Sequence, residues 1–189
     1  MTRPRLARWV ALAVGVVAAG LIALLATRHS TADTAAASPL TGKPAPEVIA
    51  SDLDGTTVRL SQYRGRYVVL NFFASWCTPC QREHDDLERF SARHGASGQG
   101  DARVVAVLFD DEPSDARDFF KARGGDWPVL VDPRGKVALD FGVRGPPESF
   151  LVDPDGFVLA RVVGEVTDVG LDRLIAEAKA QRARRGSSP

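Results

Sequence analysis

Cysteine and histidine are scarce in this chain. Its 189 residues include two cysteines, Cys77 and Cys80, and three histidines. A structural zinc site needs four ligands of these types, but His29 lies in a segment rich in small polar residues, and His84 and His94 are ten residues apart. This spacing argues against a zinc site, so we expect no metal. A bridge between residues three apart closes almost no loop and removes little unfolded-state entropy, which also argues against a purely structural disulfide.

The chain also lacks an excess of charge of either sign. It carries 24 basic and 24 acidic side chains. Arg3, Arg5 and Arg8 lie in the first 26 residues, which contain no acidic residue, so the remainder has 21 basic against 24 acidic side chains. A mildly acidic domain gives no reason to expect a nucleic-acid partner. With 44% hydrophobic residues, the chain can form one domain with a real core and a targeting segment.

One long uncharged run lies near the N-terminus. The 18 residues from Trp9 to Ala26 carry no charge, which is close to the length of helix that crosses a bilayer. The arginines before it keep the N-terminus cytoplasmic and send the rest of the chain outside. We therefore predict a transmembrane signal-anchor over residues 1–26. The alternative is a cleaved signal peptide, with the small residues Ala35 to Ala37 as a cleavage site.

The remaining chain divides into three predicted parts. Residues 27–46 are rich in Ser, Thr, Ala and Pro and show no apolar period, which is typical of a flexible tether. Residues 47–185 form the predicted domain, and residues 186–189 form a polar, disordered tail. Both interpretations of the N-terminus export the domain. The anchor further predicts a single-pass protein of the cell membrane, with its domain on the periplasmic or extracellular side.

The order of predicted elements indicates an α/β fold. A buried strand over Tyr67–Phe73, a helix from the cysteines to about Arg93 and a second buried strand over Val104–Phe109 form a parallel βαβ unit. A helix, a short strand and a further short helix follow. Two strands joined by a Pro-Asp-Gly turn then precede a last helix from about Asp168. Helices on both faces of a mixed sheet predict a three-layer α/β/α sandwich.

Cys77 and Cys80 form a Cys-x-x-Cys motif between the first buried strand and the following helix. The unpaired N–H groups and the dipole at a helix N-terminus favour a thiolate at Cys77. Cys80, one turn later, faces inward and is placed to attack a mixed disulfide formed at Cys77. Pro79 suits the first turn because its missing N–H costs nothing there. This arrangement predicts a thiol–disulfide redox site.

The motif has a wider sequence context that resembles a known family. "WCTPC" after "VVLNFFAS" resembles the thioredoxin superfamily. The predicted anchor and "CQRE" resemble its exported TlpA-like branch. "GVRGPPESFLVDPDGFV", residues 142–158, resembles the DsbE/CcmG-type reductases of cytochrome c maturation, whose motif is close to GVxGxPETFLID. The resemblance covers about residues 43–180. It implies a thioredoxin-like fold with an αβ insert between Phe109 and Phe141.

The resemblance also implies roles for residues of the cysteine motif. Cys77 is expected to be the exposed attacking thiol, and Cys80 the resolving thiol. The motif is completed by Trp76, Thr78 and Pro79. Two interpretations of Trp76 stay open, since the side chain could either pack in the core or serve as a platform for the substrate.

Further roles fall outside the cysteine motif. Pro147 is expected to follow a cis peptide bond, opposite the disulfide, and to leave a backbone edge for a substrate chain; the alternative is an ordinary trans Pro–Pro turn. Glu83 and Glu148 are expected to be an acidic pair that tunes the active-site pKa values. The alternatives are that Glu83 only complements the helix N-terminus and that Glu148 is solvated. The chain departs from the family pattern at Pro146 and Ser149, and Pro146 removes a backbone donor from the substrate edge.

The resemblance and the acidic pair together predict a membrane-tethered reductant of protein disulfides. Carboxylates near Cys77 would disfavour its thiolate and favour the disulfide, so the domain would give electrons away. The expected target is the haem-attachment motif of apocytochrome c, and the expected electron source is a membrane thiol-reductant conduit; no cofactor is expected. The alternatives are an exported oxidase of folding proteins, a thiol peroxidase, whose Thr-x-x-Cys placement is absent, and a non-catalytic tethered binding domain.

Overall fold

The computed structural model describes residues 9, 12–20, 35–95 and 101–186. The chain divides into two units, Met1–Thr31 and Ala32–Pro189. In the first unit, residues 12–20 are helical. No helix within the described residues combines the length and the apolar character needed to cross a bilayer. Most of the predicted anchor, residues 1–26, lies outside the described residues.

The second unit alternates strands and helices, as the sequence predicts. Its strands are β1 (Ala35–Ala36), β2 (Ile49–Ser51), β3 (Thr57–Arg59), β4 (Tyr67–Phe73), β5 (Ala102–Leu108), β6 (Val129–Leu130), β7 (Glu148–Val152) and β8 (Val158–Val163). Its helices are α1 (Thr78–His94), α2 (Pro113–Arg123), α3 (Lys136–Phe141) and α4 (Asp168–Gly186), with a 3-10 turn at Leu60–Tyr63.

Within the described residues, six strands form one mixed sheet in the order β1-β8-β7-β4-β5-β6. The pairs β4–β5 and β5–β6 are parallel, whereas β4–β7, β7–β8 and β8–β1 are antiparallel. Strand β4 lies inside the sheet, and all seven of its residues are buried. This position explains its continuous run of β-branched and aromatic residues, since a strand covered on both faces has no solvent-facing side.

The sheet separates two apolar cores, so the predicted three-layer arrangement is confirmed. On one face, helices α1 and α4 cover a core that includes Val69, Val104, Leu87, Phe90, Leu171 and Ile175. On the other face, α3 and the β2–β3 hairpin cover a core that includes Leu70, Phe72, Phe141, Phe150, Val48 and Val58. The predicted insert is present as α2 and β6, and β6 extends the parallel side of the sheet.

The segment before the domain differs from the flexible tether predicted over residues 27–46. Its described part, residues 35–46, packs on the sheet: Ala35–Ala36 pair with β8, Pro44 bridges to Phe157, and Leu40 packs against the core. Composition alone misses this contact because two apolar side chains, Leu40 and Ala45, and a few backbone hydrogen bonds at a sheet edge leave no periodic pattern. At the other end, α4 runs to Gly186, and residues 187–189 of the predicted tail lie outside the described residues.

Candidate active site

Cys77 occupies the N-cap of α1, directly after the turn that follows β4. Its backbone is extended, with φ −79° and ψ 106°, and its Sγ accepts a hydrogen bond of 3.2 Å from the backbone N–H of Cys80. Pro79 lies in the first turn, where its missing N–H leaves no helical bond unmade. The predicted position of Cys77 at a helix N-terminus is therefore confirmed.

The two cysteines form a disulfide, and the pair is more buried than the sequence predicts. Their Cα atoms lie 5.2 Å apart. Cys77 is 4% exposed and Cys80 is 1% exposed. Cys80 faces inward as expected, but the expectation of an exposed Cys77 is wrong for this oxidised state. The sulfurs belong to a packed cluster that also contains Phe73, Ala74, Leu108 and Ala116, so they lie in a largely apolar environment.

The peptide bond between Pro146 and Pro147 is cis, as predicted. Pro147 is buried, and its carbonyl oxygen accepts a hydrogen bond of 2.9 Å from the N–H of Gly164. The next residue, Glu148, lies opposite Phe72 in the β4–β7 register. This register places Pro147 beside the end of β4, from which the chain leads to the cysteines.

Glu83 lies one helical turn after Cys80, on the inner side of α1, and is buried. Its carboxylate accepts hydrogen bonds from Nδ2 of Asn71 at 2.8 Å and from the backbone N–H of Val166 at 2.9 Å. Burial away from water raises the pKa of Glu83 to about 8, although both hydrogen bonds oppose the shift. The group therefore exchanges its proton near neutral pH and is not a permanent negative charge.

Asn71 connects the cysteine helix to the strand that follows the cis-proline. Its Nδ2 also donates a hydrogen bond of 3.0 Å to Oγ of Ser149. Both residues are 1% exposed. Ser149 stands where the family motif has Thr. Its hydroxyl oxygen accepts this hydrogen bond, so the hydroxyl group of the family pattern is kept. The sequence does carry a signal for Asn71, because it is the one polar residue in the apolar run "YVVLNFF".

Glu148 is also buried, but its partners differ from those of Glu83. It forms an ion pair with Arg161, with 2.7 Å between Oε2 and Nη2, and both side chains are largely buried. Its Oε1 accepts a hydrogen bond of 3.0 Å from the backbone N–H of Arg144. The alternative of a solvated Glu148 is therefore wrong. Arg161 was missed at the sequence level because nothing in strand β8 identifies its partner.

The two glutamates are not brought together as the predicted acidic pair. In the β4–β7 register Glu148 lies opposite Phe72, and Ser149 lies opposite Asn71. Successive strand residues point to opposite faces of a sheet, and the Asn71 side chain bonds to Glu83 on α1. Glu83 therefore lies on the α1 face, and Glu148 lies on the other face.

Trp76 is exposed and does not pack in the core. Its side chain is 57% exposed, and its Nε1 donates a hydrogen bond of 3.0 Å to the carbonyl oxygen of Asp110. Thr78 is exposed beside it. Trp76 lines a cavity of about 480 Å³ whose wall includes five acidic residues, Asp110, Asp111, Glu112, Asp115 and Asp132. Core packing of Trp76 is therefore wrong, since its side chain lies on the surface next to the disulfide.

Comparison with known proteins agrees with this site and fold. The model of the AhpC/TSA family matches residues 41–161. The chain is 31% identical over 134 residues to the thiol-disulfide oxidoreductase ResA of Bacillus thuringiensis subsp. konkukian, covering 71% of this chain and 76% of the relative. It is 35% identical over 132 residues to the thiol:disulfide interchange protein DsbE of Allochromatium vinosum, covering 68% and 70%.

A solved structure is also similar to this chain in its fold. The secreted thiol-disulfide isomerase of Corynebacterium glutamicum superposes with a TM-score of 0.66 at 25% identity, covering 77% of this chain and 92% of that chain. Its similarity to this chain supports the thioredoxin-like fold. Together with the Cys77–Cys80 disulfide at the start of α1, these similarities show that the chain belongs to the AhpC/TSA family of thioredoxin-fold proteins and is a thiol:disulfide oxidoreductase.

Proposed function

We propose that this oxidoreductase works as a reductant of protein disulfides. The observation that carries the proposal is the burial of the sulfur pair, with Cys77 4% and Cys80 1% exposed. A strong oxidant depends on a stabilised thiolate in its reduced form. A sulfur in an apolar cluster is poorly placed to become a thiolate, because burial disfavours the charged form.

The helix N-terminus acts against burial, because it favours a thiolate at Cys77. The relative size of the two effects decides whether the thiolate is stabilised. Cys77 lies at the N-terminus of α1 and accepts the Cys80 N–H, which favours a thiolate. Helix effects contribute about 0.3–1 kcal/mol at exposed sites and up to about 2 kcal/mol in partly buried ones, and the thiol pKa in Cys-x-x-Cys motifs is lowered to between about 3.5 and 7.5. Burial opposes a charge by as much as several pKa units, each about 1.4 kcal/mol. We infer that burial is the larger effect here, because both sulfurs lie in an apolar cluster, and that it favours the disulfide over the reduced form.

The reaction exchanges two electrons and two protons. Cys77 attacks one sulfur of the substrate disulfide as its thiolate, the minor form at neutral pH, and the other substrate sulfur leaves as a thiolate that takes up the proton lost by Cys77. Cys80 then attacks the Sγ of Cys77 in this mixed disulfide. The second substrate sulfur leaves as a thiol, and the Cys77–Cys80 disulfide forms. The substrate has become a dithiol, and the protein has been oxidised by the same two electrons.

Glu83 is the candidate proton carrier for the second step. It lies one turn from Cys80 on the inner side of α1, and its pKa of about 8 leaves a minor ionised fraction at neutral pH that can accept a proton, as a general base needs. It therefore replaces the predicted acidic pair, whose charges would have acted on Cys77 directly. Glu148 has no such role, because it lies on the other face of the sheet and forms an ion pair with Arg161.

The surface around the disulfide supports a protein substrate. Trp76 is exposed next to Cys77, and Pro147 follows a cis bond beside the end of β4. A substrate chain lying along Pro146 would find a carbonyl oxygen but no N–H donor, since proline has none. The carbonyl oxygen of the buried Pro147 already accepts the Gly164 N–H. We therefore expect the substrate to bind this edge through an N–H group of its own.

The wider setting of the proposal follows the DsbE/CcmG resemblance. The target would be apocytochrome c, whose haem-attachment cysteines must be reduced before haem is joined. The protein would be exported, tethered to the cell membrane by its N-terminal segment and re-reduced by a membrane thiol-reductant conduit. Relatives named ResA and DsbE and the uncharged run from Trp9 to Ala26 support this setting.

Two experiments test the proposal. Titration of the purified chain against glutathione redox buffers should give a potential well below the value of about −120 mV that is typical of a strong periplasmic oxidant; a potential near that value would refute the reductant role. A Cys80→Ser variant should accumulate mixed disulfides at Cys77 in cells, and apocytochrome c should be among the trapped proteins. A Cys77→Ser variant is the matched control and should trap none.

A further inference from the structure

The insert helix α2 packs against the cluster that contains the sulfurs. Ala116 is completely buried and belongs to the same packed cluster as Cys77 and Cys80. Phe119 and Phe120, one turn later on the same helix, pack against that cluster. Part of the apolar environment of the redox pair therefore comes from an element that the sequence identifies as an insert beyond a minimal thioredoxin.

Aromatic contacts connect α2 to the strand that leads to the cysteines. The ring of Phe73, the last residue of β4, lies 4.9 Å from that of Phe119 and 5.5 Å from that of Phe120, between centroids. Both pairs are tilted or edge-on, which are favourable arrangements for aromatic rings. Phe119 and Phe120 are partly buried and cover the α2 side of the cluster.

The C-terminal end of α2 is fastened to the cysteine helix α1. His84, four residues after Cys80, is buried, and its Nε2–H donates a hydrogen bond of 3.1 Å to the carbonyl oxygen of Gly124. Its ring lies edge-on to the ring of Phe119 at 4.9 Å. Arg123 donates a hydrogen bond of 3.2 Å to the carbonyl oxygen of Gln81. These contacts hold Phe119 in place above α1.

We propose that helix α2, through Phe119, keeps water away from the Cys77–Cys80 pair and so limits formation of the Cys77 thiolate. Phe119 is a positioning residue in this proposal, since it acts through the environment of the sulfurs and not on the substrate. The inference rests on the proposed reductant role, because it names the element that makes the reduced form less favourable. It also gives the insert a function in the chemistry of the site.

We expect the effect to depend on the size of the side chain at position 119. Replacing Phe119 by a smaller side chain leaves space next to the cluster, and water that enters this space can solvate a thiolate. The dithiol form gains the stabilisation, whereas the uncharged disulfide gains little. A thiolate fraction that rises about tenfold at neutral pH corresponds to one pKa unit. We expect an increase of about this size for Phe119→Ala and smaller increases for Phe119→Val and Phe119→Leu, in that order.

The test measures alkylation of Cys77 by iodoacetamide against pH in the reduced full chain. The midpoint of the profile reports thiolate formation, whereas the plateau rate at high pH reports access to the sulfur. The midpoint should move to lower pH from wild type through Phe119→Leu and Phe119→Val to Phe119→Ala. Equal midpoints across the folded members of this series, with or without a change in plateau rate, would overturn the proposal.

A matched control separates this effect from a general loss of packing. Phe141 is buried in the core on the other face of the sheet, and Phe141→Leu should lower the unfolding free energy without moving the midpoint. An equal shift in Phe141→Leu would show that loss of stability alone explains the result. The glutathione potential of the wild-type chain tests the reductant role separately. If the wild-type chain is strongly oxidising but the alkylation midpoints still shift through the Phe119 series, the reductant role is refuted and the proposed role of α2 still holds.

Discussion

Glu83 and Glu148 are buried to the same degree on opposite faces of one sheet, but they meet different partners. The Glu83 carboxylate receives hydrogen bonds from two uncharged donors, the Asn71 amide and the Val166 backbone. Glu148 receives a guanidinium from Arg161. The difference teaches that the partners of a buried carboxyl group matter as much as its burial. Arg161 supplies an ion pair to Glu148, whereas the neutral donors of Glu83 do not offset the burial that raises its pKa to about 8.

The largest effect is expected when the counter-charge is removed. Arg161→Leu leaves Glu148 buried without a cation, and we expect a loss of about 3–5 kcal/mol of unfolding free energy, measured by urea denaturation. In the double variant Arg161→Leu/Glu148→Leu no charge is left unpaired, so most of the loss should be recovered. A double variant no more stable than the single one would show that the packing of Arg161, and not its charge, is what matters.

The next largest effect is the fall in unfolding free energy that Glu83 causes as the pH rises. Folding raises the pKa of Glu83 from 4.5 to about 8, so between these values the native state holds a proton that the unfolded state has lost. Stability from this group is fully present below pH 4.5 and is lost as the pH rises toward 8. At about 1.4 kcal/mol per pH unit, the fall between pH 5 and 7 is up to about 3 kcal/mol.

Replacing the acid tests this assignment. In Glu83→Gln nothing titrates at this site, so the fall in unfolding free energy between pH 5 and 7 should be smaller than in wild type. Urea denaturation of the oxidised chain at several pH values measures it. Glu177→Gln, an exposed substitution on α4, is the matched control and should keep the wild-type slope. A wild-type slope in Glu83→Gln would contradict the assignment.

A smaller effect is expected when the neutral donor is removed. Asn71→Ala takes away the hydrogen bond to Glu83 and the one to Ser149, at a cost of about 1–3 kcal/mol in unfolding free energy. The lost bond to Glu83 stabilised the carboxylate, so the pKa of Glu83 should rise further. The stability of Asn71→Ala should therefore keep falling to a higher pH than that of wild type, and an unchanged pH profile would argue against the contact.

The smallest effect belongs to Ser149. Ser149→Ala removes one acceptor from the Asn71 amide and should cost about 1 kcal/mol. Ser149→Thr keeps the hydroxyl that the family pattern places here, so its unfolding free energy should stay closer to wild type. If both variants lose the same stability, the hydroxyl does not contribute and the added methyl group is poorly accommodated.

Local patterns in the sequence predicted the elements that carry the site. The apolar run Tyr67–Phe73 is strand β4, and Cys77 lies at the N-cap of the following helix. The cis bond before Pro147 followed from the family motif. Each of these features depends on a few neighbouring residues, so it can be predicted from the sequence without knowledge of the tertiary structure.

Features that depend on contacts between distant segments were not predictable in this way. The position of Glu148 across the sheet from Glu83 depends on strand register, because a shift of one residue reverses the face. The burial of Cys77 depends on how the insert packs. The predicted tether was wrong at Leu40 because its contact with the core joins segments far apart in sequence.

The central claim is that the sulfur pair is kept from forming a thiolate at neutral pH. Thiolate absorbance of the reduced chain, followed as the pH is raised, measures this directly, with the Cys77→Ser/Cys80→Ser chain as the blank. We expect thiolate absorbance to be nearly absent at pH 7 and to rise only in the alkaline range. A thiolate already formed at pH 5, as in a strong oxidant whose cysteine has a pKa of about 3.5, would contradict it.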